Sequence, residues 1–229
     1  MRLDLQYADG RLERTSVAPE RLDATVRELD VVLDPNELDA RWPTAAGDVN
    51  DVAQPWQDPP VLLRREHPGD QSAVRAVHNA AFGGGAHTAE AQLVDDLRAG
   101  GDVIAALSIV AVVDGDVVGH VICSRASIAD RPSIGLGPLG VIPDCQRRGV
   151  GQALMHAVLA AADALDEPAV ALLGDPGYYN RFGFVAGATL GVFPPVPEWA
   201  GHFQVRPLTT WDDCLLGIFR YPPAFDRLS

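Results

Sequence analysis

The stretch Gln146-Arg147-Arg148-Gly149-Val150-Gly151 holds residue types that can bind an anion. An apolar run precedes it and an amphipathic run follows it, so it reads as a strand-to-helix turn. The first amides of a helix have no partner within the helix, and the helix dipole adds positive charge there. Gly149 and Gly151 carry no Cβ to hold an anion away from the backbone. Arg147 and Arg148 put two guanidinium groups at the same mouth. Phosphate oxygens suit such a site. The competing reading is an ordinary turn with two solvated arginines. The spacing matches neither Gly-x-x-x-x-Gly-Lys nor Gly-x-Gly-x-x-Gly, which argues against mononucleotide and dinucleotide loops.

A second chemical stretch is Tyr178-Tyr179-Asn180-Arg181-Phe182-Gly183-Phe184. It reads as a short helical turn ended by Gly183. The plain reading is that both tyrosines are core aromatics.

The elements around these stretches follow from periodicity. Residues 134–142 form a strand interrupted by Gly135, Gly137, Pro138 and Gly140. Proline removes a ladder donor and glycine marks a bulge or a close approach, so a bent strand with unpaired backbone groups is expected. Val150, Ala153, Leu154, Ala157, Val158, Ala161 and Leu165 give the next helix one apolar face. Ala169–Leu173 is wholly apolar, as in a strand buried on both sides. Together they make one βαβ crossover. Upstream, 61–65 is a short strand, and Val74, Val77 and Ala81 mark a helix. Thr88 caps a second helix carrying Leu93, Val94 and Leu97. Two strands, 104–113 and 117–124, form a hairpin across Asp114-Gly115. Residues 184–220 hold two or three further strands.

The chain has 229 residues, 47% of them hydrophobic, enough for a sizeable core. Residues 2–17 read as a hairpin turning at Asp9-Gly10, and Leu22, Val26 and Leu29 mark a following helix. This ββα unit is too small for a core of its own, so it is expected to dock on the main domain or on a second subunit of a homodimer. Four prolines within 43–60 mark a linker. The expected division is therefore 1–58, an extension with its linker, and 59–229, the main domain.

Net charge is −13, and no basic patch exceeds two arginines, which argues against nucleic acid and anionic membranes as partners. All 18 basic residues are arginine, so lysine Schiff-base chemistry is excluded. The three cysteines, Cys123, Cys145 and Cys214, lie far apart and suggest neither a disulfide framework nor a metal site. No apolar targeting core or membrane-length run is evident, and a cytoplasmic protein is expected.

Three features in this order resemble the GNAT superfamily of N-acyltransferases: the bent strand Leu136-Gly137-Pro138-Leu139-Gly140-Val141, the turn Gln-Arg-Arg-Gly-Val-Gly, and the Tyr-Tyr-Asn-Arg-Phe-Gly-Phe segment. Leu-Gly-Asp-Pro-x-Tyr-Tyr is similar to a bacterial subgroup of predicted N-acetyltransferases. The resemblance covers residues of about 60–225 and leaves out 1–58. It implies an α/β (α+β) fold with a mixed, mostly antiparallel sheet, a splayed central strand pair and flanking helices, here with the N-terminal ββα extension. It implies transfer of an acetyl group from acetyl-CoA to a primary amine by direct attack in a ternary complex. The coenzyme A pyrophosphate would meet Gln146, Arg147, Arg148, Gly149, Val150 and Gly151, with Gln146 more suited to bracing the turn. The pantetheine arm would pair with the backbone of Leu139, Gly140 and Val141.

Tyr179, four residues before Gly183, aligns with the superfamily's general acid, and Tyr178 takes a packing role. Phe82 and Glu90 fall where the superfamily walls its acceptor site. The bent strand carries no carboxylate near its middle to serve as base, which leaves Glu90, His87, His120 or water. Cys145, beside the turn, is expected to be structural rather than an acetyl-carrying nucleophile. The acceptor is a small-molecule or protein amine, and the acidity of the chain favours a cationic one. The alternative function is a non-catalytic acyl-CoA-binding or partner-binding module on the same fold.

Overall fold

The computed structural model describes residues 60–83 and 87–228, together with the backbone of strands at 2–6, 12–16 and 30–32. The helix expected beyond Ser16, the Asp9-Gly10 turn, the proline-rich segment before Pro59 and Gly84-Gly85 lie outside the described residues. Strands β1 (Arg2–Gln6) and β2 (Leu12–Ser16) pair antiparallel, as the hairpin reading expects. Strand β3 (Asp30–Val32) pairs with β1 and also with β4 (Leu62–Arg65). The N-terminal strands thus continue the main sheet past β4.

Helix α1 (Gln71–Ala81) and helix α2 (Ala89–Gly100) follow β4. The Thr88 side chain accepts from the Ala91 amide and starts α2, and Gly101, at φ 74°, ends it in the left-handed conformation. Strands β5 (Val103–Val113) and β6 (Asp116–Ile128) form the expected hairpin. Its two turn residues, Asp114 and Gly115, both have positive φ, as a tight turn between twisted strands requires. Strand β7 (Arg131–Val141) pairs antiparallel with β6. Helix α3 (Val150–Ala164) crosses to β8 (Ala169–Leu173), which runs parallel to β7. Helix α4 (Pro176–Tyr179) opens on Asp175, whose carboxylate accepts from the Gly177 amide at 2.8 Å.

The remaining strands are β9 (Val185–Ala186), β10 (Val192–Phe193), β11 (Phe203–Pro207) and β12 (Gly217–Arg220). That is four where two or three were expected. Two of them are only two residues long, too short to leave a period in the sequence. The sheet order is β2-β1-β3-β4-β5-β6-β7-β8-β11-β9, with β12 joining β6 and β10 joining β12. Most pairings are antiparallel, and helices cover both faces. A Cβ placed on Gly119 would meet Leu154 and Val150 of α3, whereas one on Gly140 would meet His78 and Ala81 of α1.

The buried residues of α3 are Val150, Leu154, Met155, Val158, Leu159 and Ala162. The expected face included Leu165, which is 44% exposed, and left out Met155, Leu159 and Ala162. Alanine and leucine occupy most of this helix, so its apolar periodicity is nearly flat. The pattern found the centre of the face at Val150, Leu154 and Val158, and packing against the sheet set its width.

Candidate active site

β7 pairs with β8 at Ile134↔Val170 and Gly135↔Ala171. Beyond Gly135 the ladder to β8 ends, so the β8-facing edge of Leu136–Val141 is unpaired by that strand. The cause is local. Register with β6 runs from Val121↔Leu139 to Cys123↔Leu136, so Gly137 and Pro138 together face Ile122. This is a β-bulge, and it bends the strand away from β8. Sequence composition placed the bend here, and the structure agrees. An extended ligand can use the free N–H and C=O groups of such an edge.

The chain leaves β7 through a short 3-10 turn, Pro143–Cys145, and enters the anion turn. Arg147 and Gly149 have φ of 60° and 84°, so the backbone is left-handed at both. Left-handed residues among right-handed ones gather N–H groups into a concave nest. Gly149 is the N-cap of α3 and brings no capping side chain to the first-turn amides. Its missing Cβ would stand in open space. Gln146, Arg147 and Arg148 are exposed. The Gln146 side chain donates to the Val141 carbonyl at 2.9 Å, which ties the turn to the end of β7.

The tyrosine segment closes the far side. A Cβ on Gly151 would lie 3.2 Å from the Tyr178 hydroxyl, so that phenol reaches the first turn of α3. Arg181 stacks over the Tyr178 ring at 5.0 Å. The Tyr179 ring covers Gly174 at the end of β8, where a Cβ would collide with it, and meets the rings of Tyr178 and Phe184. Burial raises both phenols, Tyr179 to about 12 with the neighbouring Tyr178 adding to the rise. Each therefore holds its proton at neutral pH. The Tyr178 hydroxyl thus lies by the head of α3 and the Tyr179 ring by the end of β8.

Comparison with known proteins gives the chain a family. Residues 105–186 match the model for an acetyltransferase (GNAT) domain. An uncharacterized N-acetyltransferase of Escherichia coli K12, YhbS, is 34% identical over 173 residues, spanning 73% of this chain and 99% of that protein. The chain belongs to the GNAT N-acetyltransferase family. The crystal structure of Escherichia coli YhbS in complex with CoA superposes with a TM-score of 0.68 at 30% identity, over 77% of this chain and 96% of that one. A Brucella melitensis GNAT acetyltransferase, crystallised with acetyl-CoA, gives 0.60 at 34% identity, over 72% and 98%. As a member of this family the protein is an acyltransferase. Among the described residues, no helix is long and apolar enough to cross a membrane, and no cluster of three or more metal-ligating side chains occurs.

The residues considered for a GNAT base are dispersed. His87 is exposed and lies 3.3 Å from Arg75. Glu90 sits half-buried in the first turn of α2. Phe82 is 41% exposed at the C-terminal end of α1 and stacks on His78 at 6.0 Å. His120 is wholly buried on β6, opposite Gly140 of β7. It belongs to a polar chain that the sequence reading did not assemble. His78 Nε2 and His120 Nδ1 are 2.8 Å apart, and His120 Nε2 and Ser108 Oγ are 3.0 Å apart. The Ser108 hydroxyl donates to Glu66, and Arg98 pairs with the other oxygen of Glu66 at 2.5 Å. His78 lies in the buried stripe with Val74 and Val77. A histidine on an apolar helical stripe, with another in an apolar strand, was the available signal.

Burial pushes the Glu66 carboxyl up, but hydrogen bonds from His120 and Ser108, then the charges of His120 and Arg98, outweigh it and bring the group down to about 2 from 4.5. A carboxyl lowered in the fold contributes stability that is present above its unfolded value and is lost as pH falls through its folded value. The stability gap between wild type and Glu66→Gln in urea is therefore expected to be widest above pH 4.5 and to shrink as pH falls toward 2. A gap that did not change over that range would show that the ionised carboxylate is not what these partners stabilise.

Proposed function

We propose that the chain transfers an acetyl group from acetyl-CoA to a primary amine by direct attack in a ternary complex. The observation that carries this reading is the edge of β7 left free beyond Gly135, running straight into the uncapped nest at the head of α3. Pantetheine has two amides, and Leu139, Gly140 and Val141 offer it backbone partners as an added strand would. The pyrophosphate fits the amides from Arg148 to Gly151, with Arg147 and Arg148 countering its charge. Gln146 braces that turn through Val141. The relatives crystallised with CoA and acetyl-CoA support the same ligand here.

In the chemical step the amine nitrogen attacks the thioester carbon and the C–S bond breaks. Tyr179, protonated and packed on Gly174 beside the splay, supplies the proton that the departing thiolate takes up. Phe82 and Glu90 serve as acceptor-side contacts, and the acidic chain favours a cationic amine. The catalytic unit on this reading is 59–229, because every proposed site residue lies within it, while β3 extends its sheet from outside.

Acetyl-CoA consumption measured against a panel of primary amines tests the proposal. Amine-dependent release of CoA is the expected result. Tight acetyl-CoA binding with no turnover on any amine would instead favour a binding module.

A further inference from the structure

A hollow of about 410 Å³ opens where α4 meets the last two strands of the sheet, β11 and β9. Pro176, Phe184, Val185, Ala186 and Phe203 give it apolar walls, and no charged side chain lines it. None of the residues proposed for coenzyme A borders it. Its volume falls within the range of about 300–1,000 Å³ typical of small-molecule sites.

Gln204 of β11 is the buried polar residue of this hollow, at 3% exposure. Its Nε2 donates to the Gly174 carbonyl at 3.1 Å, which fixes the way the amide faces. A glutamine amide carries a second N–H and an oxygen with two lone pairs. Among the described residues neither has a partner. Buried amides ordinarily fill these positions. The oxygen is not sealed from solvent, and the opening beside it is the hollow. The shape and chemistry select a ligand class. Apolar walls without a counter-charge disfavour an ion. The free oxygen calls for an N–H donor and the free N–H calls for an acceptor. A carboxamide carries both.

We infer that this hollow is a second binding site, for a small neutral molecule that joins a carboxamide to an apolar ring or chain. Its place in the fold is specific. Phe184 lines the hollow and also meets the Tyr179 ring at 5.9 Å. Gly174, whose carbonyl Gln204 holds, lies under that same tyrosine. The occupant therefore sits one ring away from the proposed proton donor.

Benzamide is the probe, and benzoate is the control, with the same shape but a charge and no N–H. Nitrogen-15 NMR of the full chain is expected to show the Gln204 side-chain amide shifting with benzamide, at a Kd of about 1 mM for so small a molecule. Benzoate should bind at least about tenfold more weakly, because it leaves the Gln204 oxygen without a donor. Ala186 pairs with Gln204 across the ladder, so the two side chains share a face of the sheet. Ala186 is exposed, and a longer chain there enters the hollow without disturbing the core. Ala186→Leu is expected to weaken benzamide about tenfold or more by filling part of its volume. Saturating acetyl-CoA should leave the benzamide Kd unchanged. No Gln204 shift up to about 50 mM benzamide, some fifty times the expected Kd, overturns the inference. So do equal affinities for benzamide and benzoate, or an Ala186→Leu chain that binds as wild type does. Competition between benzamide and acetyl-CoA would place the probe in the cofactor's own site and overturn it as well. None of these readouts uses turnover, so the acetyl-transfer reading stands or falls separately.

Discussion

Tyr179→Phe is expected to lower kcat by about 10²–10⁴-fold while acetyl-CoA binds as before. The substitution removes one oxygen and leaves the ring, so the packing on Gly174, Tyr178 and Phe184 survives. What is lost is the proton that meets the leaving thiolate. Tyr178→Phe should behave differently. The Tyr178 hydroxyl reaches the first turn of α3 and not the end of β8, so its loss should alter acetyl-CoA affinity more than kcat. Stopped-time assays at saturating amine, with calorimetric Kd for both variants, separate the two. If the variants exchanged behaviours, Tyr178 would be the donor and the assignment would be reversed.

Gly149→Glu is expected to weaken acetyl-CoA binding at least about 100-fold, or about 2.8 kcal/mol at 1.4 kcal/mol per decade. A Cβ at this position enters open space, so nothing in the fold obstructs the new side chain. Its carboxylate would stand at the mouth of the nest, in the volume and the field proposed for pyrophosphate. The left-handed φ of 84° also imposes backbone strain of about 1–2 kcal/mol on any side chain. Gly149→Ala carries that strain without the charge and is the control. Calorimetry should show a small loss for Ala and a large one for Glu. Equal affinity for wild type and Gly149→Glu would remove the pyrophosphate from this turn.

Much of the backbone around the candidate site was legible because its signals are local. Gly135, Gly137, Pro138 and Gly140 cannot all sit in a flat ladder, and the strand bends where they fall. Gln146 has its bracing role because five residues bring it back to the Val141 carbonyl. Asp114-Gly115 names its own turn. What escaped the sequence depends on distant partners. The interaction of His78 with His120 spans 42 positions, and that of Ser108 with Glu66 another 42. Neither pair leaves a spacing to read. The face of α3 was read too narrowly and ended one residue too far, at Leu165, because a helix of mostly alanine and leucine has little polar side to bound it. The pairing of β3 with β4 crosses the stretch that composition marked as a linker. Prolines predict where a chain turns, not which edge it returns to.

The two pairs that join β7 to β8 make a narrow seam in a broad sheet. Tyr179, the proposed proton donor, rides on the block that begins with β8. The buried pair His78 and His120 belongs to the block that ends with β7. Beyond Gly135 no ladder holds these two blocks at a fixed spacing. An occupant lying along the free edge of β7 would act as a strut between them. It would set the gap that separates them. The molecule that carries the acyl group is then also a gauge, and the reactive geometry is assembled around it rather than waiting for it.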